Sequence, residues 1–93
     1  MLLGRKVHTA GNIIRYEIDY SDWLEEGVSL VTATVTGAPS DITLTGVGML
    51  TPHKVVFTMG GGSVNENFTL AVQVTDTRNE TKNDTVGFTI QAP

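Results

Sequence analysis

A two-residue alternation of apolar and polar side chains recurs along this chain, and it limits the fold more than any other feature. From Ile14 to Tyr20 the sequence reads Ile-Arg-Tyr-Glu-Ile-Asp-Tyr, with Ile14, Tyr16, Ile18 and Tyr20 on one face and Arg15, Glu17 and Asp19 on the other. That is the pattern of a half-buried β-strand, because successive side chains of a strand point to opposite sides. Val31–Thr36 repeats it with threonine on the solvent side, and Asp41–Thr45 gives a shorter version. Val55, Phe57 and Met59 share a face in His53–Met59, as do Phe68, Leu70, Val72 and Val74 in Phe68–Thr75. Val86, Phe88 and Ile90 do so in Thr85–Gln91. Six strands follow, and Lys6–Thr9 offers a seventh within a segment, 1–12, that is the natural candidate for a frayed end.

Between these segments the chain carries turn chemistry. Gly37-Ala38-Pro39-Ser40, Gly46-Val47-Gly48, Thr51-Pro52, Gly60-Gly61-Gly62 and the polar run Asp76–Asp84 fall at the spacing of an all-β sandwich. Ser21–Gly27 has a capping serine, early acids and a terminal glycine, enough for one turn linking two strands. Near Val28-Ser29-Leu30-Val31 the alternation changes phase. Either a bulge reverses the face there, or Val28 and Leu30 cover the edge of the core. The fold expected is all-β: one domain over 1–93, an antiparallel immunoglobulin-like β-sandwich of six or seven strands, with a small barrel as the alternative. Its expected core is Tyr16, Ile18, Trp23, Val31, Ala33, Val35, Leu44, Val55, Phe57, Leu70, Val72, Val74, Val86, Phe88 and Ile90.

The residue inventory narrows function mainly by exclusion. The 93 residues contain no cysteine, which removes disulfide scaffolds, thiolate metal sites and thiol nucleophiles. A net charge of -4 argues against a nucleic-acid or anionic-membrane binder, which needs a basic stripe. No run approaches the roughly 20 apolar residues of a membrane helix, and the start, Met1–Lys6, is too short in apolar residues for a signal peptide. Synthesis in a bacterial cytoplasm without export is therefore expected. The two histidines, His8 and His53, stand in no metal-ligand spacing. Serines 21, 29, 40 and 63 lie in no nucleophile elbow. Gly60-Gly61-Gly62 lacks the following helix and Lys-Ser/Thr of a phosphate loop, so it reads as a flexible or bulged hairpin connection. Asp19, Asp22, Glu25 and Glu26, and likewise Asp76, Glu80 and Asp84, match no cation loop and read as solvated faces or turns. Asp76 and Asp84 would flank a hairpin in which Asn79 and Asn83 accept left-handed backbone. The Asn-x-Thr triplets at Asn67, Asn79 and Asn83 matter only in a secreted eukaryotic protein. Trp23 reads as a core plug, with a sugar or partner anchor as the other reading. No catalytic residue, cofactor or metal is expected.

The run Tyr16-Glu17-Ile18-Asp19-Tyr20-Ser21-Asp22-Trp23-Leu24-Glu25-Glu26-Gly27 resembles the opening of a family of small phage and prophage proteins, the phage fiber-tail adaptor proteins. Lys54–Gly62 is similar to that family's strand leading into a Gly-Gly turn, Phe68–Thr75 to its next strand, and Asp84–Ile90 to its closing strand. The likeness spans about Ile14 to Ile90, although Val35 stands where members often carry Trp, and Thr77-Arg78 where they carry Gly-Arg. The resemblance implies a non-enzymatic virion component with an immunoglobulin-like fold, a tail or fiber adaptor or a neck-associated module. Its implied partners are other phage head, neck, tail or fiber proteins, with copies on a virion ring and a monomer in isolation. Two loops are the contact candidates: Gly60, Gly61, Gly62, Ser63 and Asn65 in one, and Thr77, Arg78, Asn79 and Lys82 in the other. An immunoglobulin-like module binding carbohydrate or a cell surface is the alternative.

Overall fold

A computed structural model describes residues 2–50 and 52–93. The strands are β1 (Leu2–Thr9), β2 (Ile13–Asp19), β3 (Leu30–Thr36), β4 (Ile42–Leu50), β5 (Lys54–Gly61), β6 (Asn67–Asp76) and β7 (Thr81–Gln91). They form a four-stranded sheet ordered β1-β7-β6-β3 and a three-stranded sheet ordered β2-β5-β4. Residues 21–27 make turns between β2 and β3, as their length requires. The immunoglobulin-like sandwich read from the sequence is thus the fold observed. Its pairs are antiparallel except one, because β1 lies along β7 in parallel. Alternation reports which face is buried and says nothing of strand direction. Segment 1–12 supplies β1, which sits beside the closing strand; the chain then crosses at Ala10–Asn12 to begin the other sheet.

The core fills the space between the sheets. Leu70, Val72 and Val74 of β6 and Val86, Phe88 and Ile90 of β7 face Val55, Phe57 and Met59 of β5. Phe57 and Phe88 meet edge-on with ring centroids 6.4 Å apart, and Tyr16 approaches Phe88 edge-on at 5.1 Å. Such geometry sets the positive ring edge against the negative face of its neighbour. Truncating either phenylalanine to alanine removes about 3–5 kcal/mol, a large share of what a domain this small holds.

The phase change at Val28–Val31 is a bulge. Leu30 is opposite Asp76 and Thr32 is opposite Thr75, so β3 advances two residues where β6 advances one. The extra residue is Val31, which is 49% exposed, while Leu30 on its near side is buried. Val31 therefore leaves the expected core and Leu30 enters it. Tyr20, Leu24, Ile42 and Met59 are also buried, and Tyr16, Ile18, Trp23, Ala33 and Leu44 pack partly buried against them. Ile14, expected on the inner face of β2, is exposed.

Gly60-Gly61-Gly62 is no hairpin. It carries the chain from β5 in the three-stranded sheet to β6 in the four-stranded one. Gly61 has φ +83, and a β-carbon there would run into the Asp41 carbonyl oxygen. Gly27 has a similar φ of +81 with open space around it. Both positions charge alanine about 1 kcal/mol for left-handed backbone, and Gly61 adds a backbone collision that only local rearrangement relieves. Gly61→Ala is expected to lower stability by about 3 kcal/mol or more and Gly27→Ala by about 1, read as urea unfolding free energies. Equal losses at the two sites would show that the β5–β6 crossover is looser than its packing indicates.

Candidate interaction loops at the two ends of the sandwich

The two groups of loop residues singled out in the sequence lie at opposite ends of a body 42 Å long and about 20 Å across. At one end the β5–β6 connection, Gly62–Glu66, packs beside the β1–β2 and β3–β4 connections. Gly62 N–H donates to the Asp41 carbonyl (3.2 Å), Asn65 N–H to the Ile90 carbonyl (2.8 Å) and Gly11 N–H to the Gly61 carbonyl (3.3 Å). The Ser63 hydroxyl donates to Asp41 Oδ2 at 2.6 Å, and this bond holds the exposed Asp41 carboxyl below the usual carboxylate range. Asn65 takes φ +69, a left-handed turn position that asparagine tolerates. Ser63, Val64 and Asn65 remain exposed, so this end offers small polar groups and one aliphatic side chain on a fixed backbone.

At the other end the β6–β7 turn is organised around a buried carboxylate. Asp76 accepts from Arg78 N–H (2.9 Å), Glu80 N–H (3.0 Å), Arg78 Nε (2.9 Å) and Arg78 Nη2 (2.7 Å), although its side chain is wholly buried. Burial pushes its pKa up, but the hydrogen bonds from Arg78 and Glu80 outweigh this and hold the carboxyl below its ordinary value. Arg78 also reaches Glu80 at 2.8 Å and Glu25 at 3.6 Å, and its guanidinium lies 5.8 Å from the Trp23 ring centroid. Trp23 is half-buried between this cation and an edge-on Tyr20. It is both part of the core wall and part of the surface. Thr77 N–H donates to the Ser29 carbonyl at 2.9 Å, and Asn79 takes φ +63 to close the turn. Asn83 keeps strand geometry within β7.

Lys82 sits a few residues further on and serves a second buried carboxylate. Its Nζ donates to Asp84 Oδ1 at 2.8 Å, and Tyr20 Oη donates to Asp84 Oδ2 at 3.0 Å. Asp84 is on β7 and Tyr20 directly follows β2, so this bond ties the two sheets together. Burial pushes the Asp84 carboxyl up, and the bonds from Lys82 and Tyr20 overcome it and hold the group low. Tyr20 is pushed far above its ordinary value, by burial first and by its bond to Asp84 second. Asp76 and Asp84 are therefore not the solvated groups expected of a polar turn.

His8 makes a matching tie near the opposite end. It is buried on β1 rather than frayed, with Nδ1 2.7 Å from Tyr16 Oη of β2 and Nε2 3.0 Å from the Asn12 carbonyl. A carbonyl only accepts, so Nε2 carries a proton and, in the neutral ring, Nδ1 takes the tyrosine hydroxyl's hydrogen. His53 is half-buried at the start of β5, and its carbonyl accepts from Tyr20 N–H at 2.8 Å. Among the described residues no three His, Asp or Glu side chains group as metal ligands. The structure so distributes the sequence-selected residues into two separate ends, Gly60, Gly61, Gly62, Ser63 and Asn65 at one and Thr77, Arg78, Asn79 and Lys82 at the other; Gly60 and Gly61 belong to β5 and Lys82 to β7 rather than to loops, and Gly60 is buried, so it offers no contact. His8, expected within a frayed end, and Asp76 and Asp84, expected as solvated groups flanking a hairpin, are all buried, although the two aspartates do flank the β6–β7 hairpin. For the two aspartates a signal existed, since Asp76 continues the inward phase of Leu70, Val72 and Val74, and Asp84 precedes Val86 and Phe88 in theirs.

Sheet order and internal ties define an immunoglobulin-like β-sandwich domain. Its architecture is similar to the solution structure of the PKD domain from KIAA 1837 protein (TM-score 0.58, 16% identity, covering 84% of this chain and 72% of that one). It is also similar to part of a 2,6-sialyltransferase from Photobacterium sp. JT-ISH-224 (TM-score 0.62, 8% identity), where the whole chain matches 18% of the enzyme's length. At these identities the likeness is one of fold. The family itself is shown by sequence: the model for the podophage GP4 fiber-tail adaptor protein gp77 matches residues 8–89, and the chain belongs to this family. No curated protein matches it in sequence.

The Tyr20–Asp84 bond gives a pH-dependent expectation. Asp84 is depressed in the folded state, so its contribution to stability is complete above the ordinary aspartate value of 3.8 and is lost as pH falls through the lower folded value. Tyr20→Phe removes one donor to this carboxylate, costing about 1.5–3 kcal/mol at pH 7. The folded Asp84 pKa rises as a result, so acid unfolding is expected to begin at higher pH than in the unmodified chain. Urea midpoints measured from pH 7 down to pH 2 check both parts; superimposable acid profiles would show that the bond contributes nothing in solution.

Proposed function

We propose that this protein is a non-enzymatic structural component of a phage virion, an adaptor that joins fiber to tail by binding other virion proteins through its end loops. The family match over residues 8–89 carries this reading. The structure supports it by its shape. Two loop ends, at opposite poles of a body 42 Å long, suit a part that touches two neighbours at once. The end with Ser63 and Asn65 presents small polar groups beside the Asp41 and Glu66 carboxylates, while the end with Thr77, Arg78 and Asn79 presents a Trp–Arg pair among Glu25 and Glu80. Tryptophan and arginine are the residues most often found at the energetic centre of protein interfaces. In this reading Arg78 and Lys82 act chiefly by fixing the loop, through Asp76 and Asp84, and Thr77 and Asn79 make the outward contacts. A sugar-binding module would use Trp23 as a stacking platform, and that ring is already engaged by Arg78 and Tyr20.

Mass spectrometry of purified particles from the encoding phage is expected to find the chain in several copies. A photo-crosslinking residue in place of Asn65, and separately in place of Asn79, is expected to capture two different virion proteins. Particles that lack the chain would overturn the proposal, and capture of the same partner from both positions would overturn the two-ended arrangement.

A further inference from the structure

The four edges of the two sheets are not equally guarded. An open edge presents unpaired backbone groups, and proteins blunt such edges with charge, bulges or irregularity. On β1, Arg5 and Lys6 follow a register break at Leu2/Arg5. Arg15, Glu17 and Asp19 line β2. A register break at Thr45/Gly48, with Gly46 at φ +60, distorts β4. Past its bulge at Val31, β3 has none of these: Thr32-Ala33-Thr34-Val35-Thr36 is a regular, uncharged, proline-free edge strand.

We infer that β3 is a self-association edge, pairing antiparallel with β3 of a second copy of this chain about a twofold axis through Thr34. The segment is self-complementary for that operation. Centred on Thr34, the pairing sets Thr32 against Thr36, Ala33 against Val35 and Thr34 against its own copy. Threonine then meets threonine on the exposed face, and small apolar meets small apolar on the core face, pairings that favour antiparallel strands. An isologous contact demands such a match of a patch with itself. Electrostatics select the same place, since two chains of charge -4 meet with least repulsion on a charge-free flank. That flank also carries exposed apolar side chains: Val31, and on the adjacent β4 edge Val47 (38%) and Met49 (42%). The result is a continuous eight-stranded sheet. This inference stands apart from the virion role proposed above.

A five-residue ladder is a small interface, so dissociation is expected on the order of 10–100 µM. Sedimentation equilibrium of the full chain across that range tests it, with a mass rising from 10.0 kDa toward twice that value. Thr34→Lys and Thr34→Glu, each alone, place like charges face to face at the axis and are expected to weaken the dimer at least about tenfold. Thr34 is exposed, so circular dichroism and the urea midpoint, both read at about 1 µM, well below the dissociation constant, should be unchanged in both. Mixing the two variants sets lysine against glutamate and is expected to restore the dimer. Thr58→Lys, on the outer face of the opposite sheet, should leave it intact. An unmodified chain that stays monomeric throughout, single variants that dimerise like it, or a mixture that remains monomeric would overturn the pairing.

Discussion

Phe57 of β5 and Phe88 of β7 meet edge-on in the middle of the sandwich, and the rest of the molecule is arranged by the need to keep that contact dry. One ring belongs to each sheet. Their neighbours Val55, Met59, Val86 and Ile90 extend the same apolar layer along both strands, and β6 doubles it with Leu70, Val72 and Val74. A chain of this size buries only about 60–65% of its potential surface, so nearly every inward position must contribute. The lighter strands β1, β2 and β4 are held by pairing to β7 and β5, with little apolar burial of their own.

Polar ties take over where the apolar layer thins. β2 meets the four-stranded sheet through Tyr16 and His8 and, past its far end, through Tyr20 and Asp84. Buried polar groups cost more unpaired than they return when paired, so these ties serve geometry more than net stability. The same logic governs the β6–β7 turn, where Asp76 satisfies two backbone N–H groups and a guanidinium at once. Each loop end is therefore set by bonds inside the chain. Loops fixed in this way lose little entropy on docking, which suits the attachment proposed above.

Much of this architecture was legible in the sequence, because period-two alternation is a direct consequence of one sheet face being buried. It marked the strands, the turns and most core positions, and the family resemblance marked the class. Direction and pairing were not legible: nothing in Leu2–Thr9 announces a parallel partner at the far end of the chain, Thr85–Gln91, and its exposed Val7 and buried His8 invert the usual pattern. Val31 shows how a bulge defeats a strict count, since one inserted residue moved it out of the core and Leu30 into it. Asp76 and Asp84 were misread for another reason. Composition labels an aspartate as surface, whereas its phase along β6 and β7 pointed inward, toward partners that lie close in space but far apart or across a turn in sequence. The candidate loop residues fell into two ends because sequence proximity does not disclose that β5–β6 and β6–β7 leave opposite poles of one strand.

That polarity bears on how the domain would carry load. In the proposed adaptor role the two ends are attached to different neighbours, and every strand runs lengthwise between them. Tension then acts along the strands, so inter-strand hydrogen bonds are loaded together in shear. A pull across the strands would instead open the ladders one bond at a time. The longest pairing, β6 with β7, joins the two loop ends directly, since Asn67 is paired with Thr89 at one pole and Thr75 with Thr81 at the other. The buried Asp76 closes β6 at the turn of that hairpin, where a force on Thr77 or Asn79 first enters it, and the buried Asp84 lies in the fourth pair from the turn, opposite Val72. In that reading Asp76, bonded to Arg78 and Glu80, and Asp84, bonded to Lys82 and Tyr20, hold the hairpin together along the path the load would take.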